Sequence, residues 1–381
     1  MTFQEETSLG SSDGFLMPDT LTINSKVHPY RVKFQEFDLR NDSSDNSLIY
    51  ILDQGVSDIY KFPKNLRAIY VEASEKNKDF KQVGKILANI EKFQANKSSK
   101  IIAIGGGITQ DLSTMACSLY MRGLNWCYVP TTLQSMIDSC IGGKSSINGP
   151  ESKNLLGNYY PPNEVIIDVH FLETLSGTDM KSGLLEGIKI NAVHSLSTYE
   201  KISKSELIQL HQKIINRKYE QFEVSELIKS SLENKKSIIE VDEFDLDLRQ
   251  TLNFGHTFGH LIESITRYAI PHGIAIGIGM IAAFEFSRAH KLASHERFNL
   301  EEVIKDLIKD ELIINEISKI RKTQKEIGDI LDNDKKSRKT TYKFVLPVGD
   351  CIEVKNFEKN SEVIDHVVLS IEAAVDWILN G

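Results

Sequence analysis

Cysteine is scarce in this chain and scattered: Cys117, Cys127, Cys140 and Cys351, with no C-x-x-C spacing. That argues against a disulfide framework or a thiolate zinc site and leaves the four as core residues. Long hydrophobic runs are also missing. The longest apolar stretch, residues 274–284, falls short of the ~20 residues that span a bilayer. The N-terminus carries no charged-then-apolar signal pattern, so the chain reads as cytoplasmic, with no membrane partner. Positive charge is in deficit: 45 Lys+Arg against 53 Asp+Glu give a formal net charge of -8. Non-specific nucleic-acid binding, which neutralises many phosphates, is thereby disfavoured. An anionic ligand must instead meet a local cluster of basic residues.

The 381 residues, 41% hydrophobic and 26% charged, describe a globular protein of two domains. Residues 1–20 are polar and glycine-rich and read as a loose extension. Over residues 21–175, β-rich runs at 30–34, 48–52, 68–71, 101–104, 126–129 and 165–169 alternate with helical patterns. One such pattern is Val83, Ile86, Leu87 and Ile90, at i, i+3, i+4 and i+7. The alternation predicts an α/β domain with a mostly parallel sheet. Residues 176–381 read as mainly α-helical, with helices at 184–193, 207–215, 222–239, 261–265, 274–286 and 363–378. One clear late strand, 342–346, is ended by Pro347 and Gly349.

Chemistry concentrates in a few segments. Gly255-His256-Thr257-Phe258-Gly259-His260 places two imidazoles four apart in an apolar run, and His272 follows. With the carboxylate of Glu186 they offer the ligand types of divalent zinc. Buried histidines bonded to carbonyls are the alternative, and the H-E-x-x-H order is absent. Gly105-Gly106-Gly107 follows a strand and opens a helix, as a pyrophosphate site requires, although Gln110 stands where G-x-G-x-x-G has its third glycine. A plain tight turn fits equally. Thr131-Thr132, Asp138 and Gly142-Gly143-Lys144 follow the next strand, where α/β sheets bind phosphorylated ligands, though P-loop spacing is missing. Basic residues recur nearby: Arg122, Lys153 beside Asn154, Lys189, Lys235, Arg249 and Lys335-Lys336. Each alone reads as a solvated surface charge, and Glu186 with Lys189 as an ordinary i, i+3 pair.

Taken in order from about residue 48 to 347, these motifs, with Tyr120-Met121-Arg122-Gly123, Asp242-Glu243 and His272-Gly273, resemble the 3-dehydroquinate synthase family. The resemblance implies an NAD-binding α/β domain and a helical metal-binding domain, usually paired in a homodimer. It implies a phosphorylated sugar-acid substrate and a divalent metal, normally zinc with cobalt an option, on Glu186, His256 and His272. That reassigns His260 from metal ligand to polar site residue. Lys144, Asn154, Lys189 and His260 fall to the substrate phosphate, with Arg122 reaching in from a partner subunit. Arg249 and Lys335 or Lys336 fall to the carboxylate, Asp138 and Lys235 to reacting hydroxyls, and Asn253 to the catalytic set. On the cofactor side stand Asp53, Glu75, Lys78, Gly106, Gly107, Asp111, Thr131, Thr132 and Lys153.

The chain departs from the family pattern at Gln110, at Ile274 in place of a glutamate, around Glu186 at Gly187, Ile190 and Asn191, and at Asp245. The competing expectations are a valiolone- or deoxy-inosose-type cyclase, a metal-dependent NAD alcohol dehydrogenase, and a decayed homologue acting as a binding protein.

Overall fold

The computed structural model describes residues 20–38, 45, 47–63, 65–150, 152–201, 204–308, 327–328, 330–331 and 340–380. The first half contains strands β1 (Thr20–Ile23), β2 (Tyr30–Phe34) and β3 (Leu48–Asp53), helix α1 (Gln54–Tyr60), β4 (Ala68–Val71), α2 (Phe80–Lys92) and β5 (Lys100–Gly105). It continues with α3 (Gly107–Leu119), β6 (Asn125–Pro130), a π-turn at Ser135–Ser139, the hairpin β7 (Lys144–Ile147) and β8 (Leu156–Tyr159), and β9 (Glu164–Ile167).

Among the described residues these strands form a seven-stranded sheet in the order β1-β2-β9-β6-β5-β3-β4 and a separate β7-β8 pair. All neighbours in the large sheet run parallel except β1 with β2. Ile49 to Leu52 and Ile101 to Ile104 are buried on both faces, which explains why these strands read as unbroken apolar runs. From β3 the chain steps to β4 on one side and then to β5 on the other. At that reversal the C-terminal ends of β3 and β5 carry Asp53 and Gly105, the crevice where open α/β sheets take ligands.

The second half follows as α4 (Gly177–His194), α5 (Leu196–Lys201), α6 (Lys204–Ile215), α7 (Gln221–Ile239), α8 (His256–Ile265), α9 (His272–Ala289), α10 (Asn299–Ile308), a hairpin of β10 (Thr341–Val348) and β11 (Cys351–Glu358), and α11 (Ser361–Asn380). Helix α9 is apolar nearly all round because α4, α8, α10 and α11 surround it. Backbones meet at two of its glycines: a Cβ on Gly273 would lie 2.2 Å from Ser182 O, and one on Gly279 2.2 Å from Gly255 O. That approach draws the middle of α4, which carries Glu186, toward the starts of α8 and α9, which carry His256 and His272.

Several expectations are corrected. Thr20 belongs to β1, while residues 1–19 lie outside the described residues. The run at 165–169 stops at Ile167, because Asp168 caps a 3-10 turn through His170 N. Pro347 does not end the late strand: β10 continues to Val348 and pairs with a second strand, β11. Pro347 lies opposite Ile352, one step from the Val348 and Cys351 pair that closes the two-residue turn, so the alternation of the ladder asks no N–H of it. Cys351 is exposed at that turn, whereas Cys117, Cys127 and Cys140 are buried.

The β1–β2 loop is tied to the helical half. Asn24 N donates to Glu240 Oε1 at 2.7 Å, while Ser25 Oγ and Lys26 N donate to the two oxygens of Glu243 at 2.5 Å each.

His211 on α6 is buried with Nδ1 unpartnered, and burial lowers its pKa to about 4 against a small opposing effect of Asp306. A depressed imidazole stabilises the fold fully above the unfolded value near 6.5 and loses that contribution as pH falls through about 4. The loss amounts to about 3 kcal/mol. Between pH 7 and 4.5, urea unfolding of the native protein should therefore lose about 2 kcal/mol more than that of His211→Leu. Identical losses would show that His211 does not titrate in this way.

Candidate metal and catalytic site

Three elements converge on one point. Glu186 and Lys189 stand one helical step apart on α4, His256 opens α8, and His272 opens α9. One ligand atom from each of Glu186, His256 and His272 lies within 4.8 Å of the others. Each group is also held from behind. Glu186 Oε2 accepts from Lys189 Nζ at 2.5 Å, His256 Nδ1 lies 3.3 Å from Phe254 O, and His272 Nδ1 lies 3.1 Å from Glu263 Oε1. Such partners fix the tautomer and orient the other ring nitrogen.

One oxygen of the cluster is unsatisfied. Glu186 Oε1 is buried without a hydrogen bond, with His272 Nε2 3.4 Å away. A buried carboxylate oxygen left bare costs free energy unless something binds it. One oxygen and two imidazole nitrogens suit a borderline divalent cation such as zinc. A second cluster, His260, Glu263 and His272, shares one imidazole with the first, but there Glu263 already faces His272 Nδ1. The Glu186 side is therefore the better cation position.

Beside it lies a charged knot. Asp138, from the π-turn, places Oδ2 3.3 Å from Lys189 Nζ and Oδ1 2.6 Å from Lys235 Nζ. Burial would raise the Asp138 carboxyl, but the two ammonium groups outweigh it and hold it well below the usual carboxylate range. For Lys189 burial pulls down, and Asp138 with Glu186 more than reverse this, so its pKa rises. Lys235 shifts the other way: burial dominates, Asp138 opposes it and Arg249 adds to it. Lys189, Lys235 and Arg249 are thus buried, not solvated surface charges.

Arg249 is held by main-chain acceptors, Nη1 donating to Glu243 O and Nη2 to Gly142 O at 3.2 Å. Asn253 Nδ2 donates to Gln250 O at 2.9 Å, and Lys144 pairs with Asp245 at 2.5 Å.

At the sheet crevice Gly106 caps α3, and Asp53 Oδ2 accepts from Thr109 Oγ1 at 3.5 Å. The backbone N–H of Thr131 donates to Gly105 O at 3.1 Å, and Thr132 Oγ1 contacts Ser135 Oγ at 2.8 Å. Lys78 is 2.6 Å from Asp111 and donates to Asn154 Oδ1 at 2.8 Å. Lys153 Nζ is 3.7 Å from Glu75 and 3.4 Å above the Tyr268 ring, linking that group to the end of α8. A cleft of about 500 Å³ is lined by Gln54, Tyr70, Glu72 and Asn77.

Arg122 is exposed just before β6, at the end of the sheet opposite Gly105 and Pro130. Lys335 and Lys336 lie outside the described residues. Glu263 was missed by sequence reasoning, yet it falls seven residues after His256 and three after His260, on the same helical face. Ile274 is buried in α9 and makes no polar contribution, so the carboxylate behind His272 comes from Glu263 instead.

Fold and site together define an α/β sheet half and a helical half that meet at a buried cluster of carboxylates, imidazoles and ammonium groups, the class of a two-domain enzyme. Residues 68–182 match the model of the 3-dehydroquinate synthase N-terminal domain and residues 183–337 that of its C-terminal domain. The 3-dehydroquinate synthase of Dictyoglomus thermophilum is 34% identical over 328 residues, 84% of this chain and 89% of that protein. A 2-deoxy-scyllo-inosose synthase, solved with carbaglucose-6-phosphate, NAD+ and Co2+, shares the fold with a TM-score of 0.76 at 23% identity, covering 92% of this chain and 99% of that one. The 2-epi-5-epi-valiolone synthase of Streptomyces hygroscopicus, solved with NAD+ and Zn2+, does so with a TM-score of 0.72 at 22% identity over 90% and 97%. The chain belongs to the 3-dehydroquinate synthase family: it is a phosphate-eliminating cyclase that converts 3-deoxy-D-arabino-heptulosonate 7-phosphate to 3-dehydroquinate and phosphate.

Proposed function

We propose that this enzyme works with NAD in the sheet crevice and a divalent cation, zinc in preference to cobalt, on Glu186, His256 and His272. The observation that carries the cation is the bare, buried Glu186 Oε1 between two oriented imidazoles. NAD has its support in the Gly105 to Gly107 turn at the sheet reversal and in the cofactor of the two similar cyclase structures.

Held by Glu186, His256 and His272, a cation would supply Lewis acidity toward substrate hydroxyls, and NAD in the crevice would supply a reversible hydride acceptor. The chain's own groups do the rest. Arg249 presents a planar fork to the substrate carboxylate, with Lys335 or Lys336 beside it. Lys144, Lys189, Asn154 and His260 bind the phosphate that leaves, while Asn253 borders the reacting carbons. Asp138, kept ionised by Lys189 and Lys235, accepts hydrogen bonds from substrate hydroxyls and orients them. Glu75, Lys78, Asp111 and Lys153 form one bonded group along the nucleotide side, continuous with Asp53, Gly106, Gly107, Thr131 and Thr132.

The active form is a homodimer in which Arg122, remote from its own cluster, serves the substrate phosphate bound by the second copy. The reaction belongs to the shikimate route to aromatic amino acids. Four free thiols fit a cytoplasmic setting, and no described helix is long and apolar enough to cross a membrane.

Phosphate release across a panel of sugar phosphates, with NAD and zinc, tests this reading. Release is expected from the deoxy-heptulosonate phosphate with no net NADH. Release from a heptulose or glucose phosphate alone would replace it by a different cyclase, and a steady rise of NADH by a dehydrogenase.

A further inference from the structure

Asp138 sits on an unusual support. The π-turn Ser135–Ser139 is a wide, rare helical turn, closed by Cys140 N donating to Ser135 O at 3.0 Å. Carbonyls at the end of such a turn have no partner within it and must find one elsewhere. For Ser139 that partner is Gln110. Its Nε2 donates to Ser139 O at 2.7 Å, and Ser139 Oγ donates back to Gln110 Oε1 at 2.6 Å. Two bonds of opposite polarity fix the amide and the turn together.

Gln110 is 4% exposed, and its amide reaches the π-turn. Its main chain is already engaged, N–H to Gly106 O at 3.0 Å and carbonyl to Thr114 Oγ1 at 2.8 Å. A glycine, which the glycine-rich pattern places here, would offer Ser139 nothing.

We propose that Gln110 is a positioning residue for the reaction: through Ser139 it fixes the main chain that sets the Asp138 carboxylate between Lys189 and Lys235. The inference rests on the assignment of Asp138 to the substrate hydroxyls. It converts an apparent defect in the nucleotide motif into a strut between helix α3, which borders the nucleotide crevice, and the charged knot.

The test is steady-state phosphate release by Gln110→Met, Asp138→Asn and the double variant, with thermal unfolding measured on each. Methionine fills similar space without hydrogen bonds, so the expected result is a kcat lowered about 10- to 100-fold. KM should change less than about threefold, as when an interaction made only in the transition state is lost. On the Asp138→Asn background the same substitution should cost nothing further, since both act through one group. Full kcat in Gln110→Met, or an equal further loss in the double variant, overturns the inference. Full turnover in Asp138→Asn instead removes the underlying assignment. Should Gln110→Met not fold, Ser139→Ala deletes one of the two bonds without touching α3, and a kcat lowered about 3- to 10-fold is expected. Unchanged kcat in that variant also overturns the inference.

Discussion

Replacing His272 by alanine should strip the protein of its divalent cation and lower turnover at least ~10³-fold, the several kcal/mol that Lewis-acid stabilisation supplies. His260→Ala should keep the cation, although turnover falls with the loss of a substrate contact. The difference lies in the geometry. His272 belongs to both candidate clusters, with Nε2 toward Glu186 and Nδ1 on Glu263, whereas His260 is exposed and belongs only to the cluster whose carboxylate is already engaged. Glu263→Gln, which still accepts from Nδ1 but without charge, should weaken cation affinity by about 10-fold, within the range seen for such outer partners. Elemental analysis after dialysis against a graded chelator reads all three variants. Equal zinc loss from His260→Ala and His272→Ala would show that the cation sits elsewhere.

Lys189→Met should destabilise the fold by about 3–5 kcal/mol, the scale for removing one partner from a buried ion pair. Its ammonium is 2.5 Å from Glu186 and 3.3 Å from Asp138, and both Lys189 and Glu186 are almost fully buried. Without it two carboxylates face one another with Lys235 as the nearby cation. The loss should shrink when zinc is present, because a bound cation neutralises Glu186, and again on an Asp138→Asn background, because one of the stranded charges is gone. Urea unfolding at pH 7, with chelator and with zinc, measures this directly. A loss under about 1 kcal/mol in chelator would mean that the pair behaves as a surface ion pair.

The apolar runs around Glu186 and His256 mark both residues in the sequence, since a charge or an imidazole has little reason to be there unless it is used, but the choice of His272 over His260 as their companion came from the family resemblance alone. Lys189, between Ile188 and Ile190, carried the same signal, whereas Lys235 in Glu-Asn-Lys-Lys-Ser carried none; both entered the candidate site only through the family resemblance. Only convergence in space shows that the ammonium groups of Lys189 and Lys235 share Asp138, and that Lys189 also pairs with Glu186. Strands β3, β5 and β6 were legible as buried apolar runs. The β7–β8 hairpin was not, since Lys-Ser-Ser-Ile and Leu-Gly-Asn-Tyr carry no alternation strong enough to stand out. Strand β11 alternates Ile352 and Val354 with polar neighbours, and Gly349-Asp350 is a hairpin signal, but Pro347 was weighed as a terminator without regard to its place in the ladder. Glu263, three residues after His260 and seven after His256, carries no motif of its own, and its role shows only where its carboxylate meets His272.

The bonds from Asn24, Ser25 and Lys26 to Glu240 and Glu243 join residues 216 to 218 positions apart. Glu243 also bears the carbonyl that grips Arg249, so the anchoring of that guanidinium is completed by a segment synthesised more than two hundred residues earlier. Contacts of such high order form late and slowly. During translation the edge of the sheet must wait, unsealed, until the ribosome has delivered the turn after α7, which leaves the nascent chain dependent on protection from aggregation over that interval.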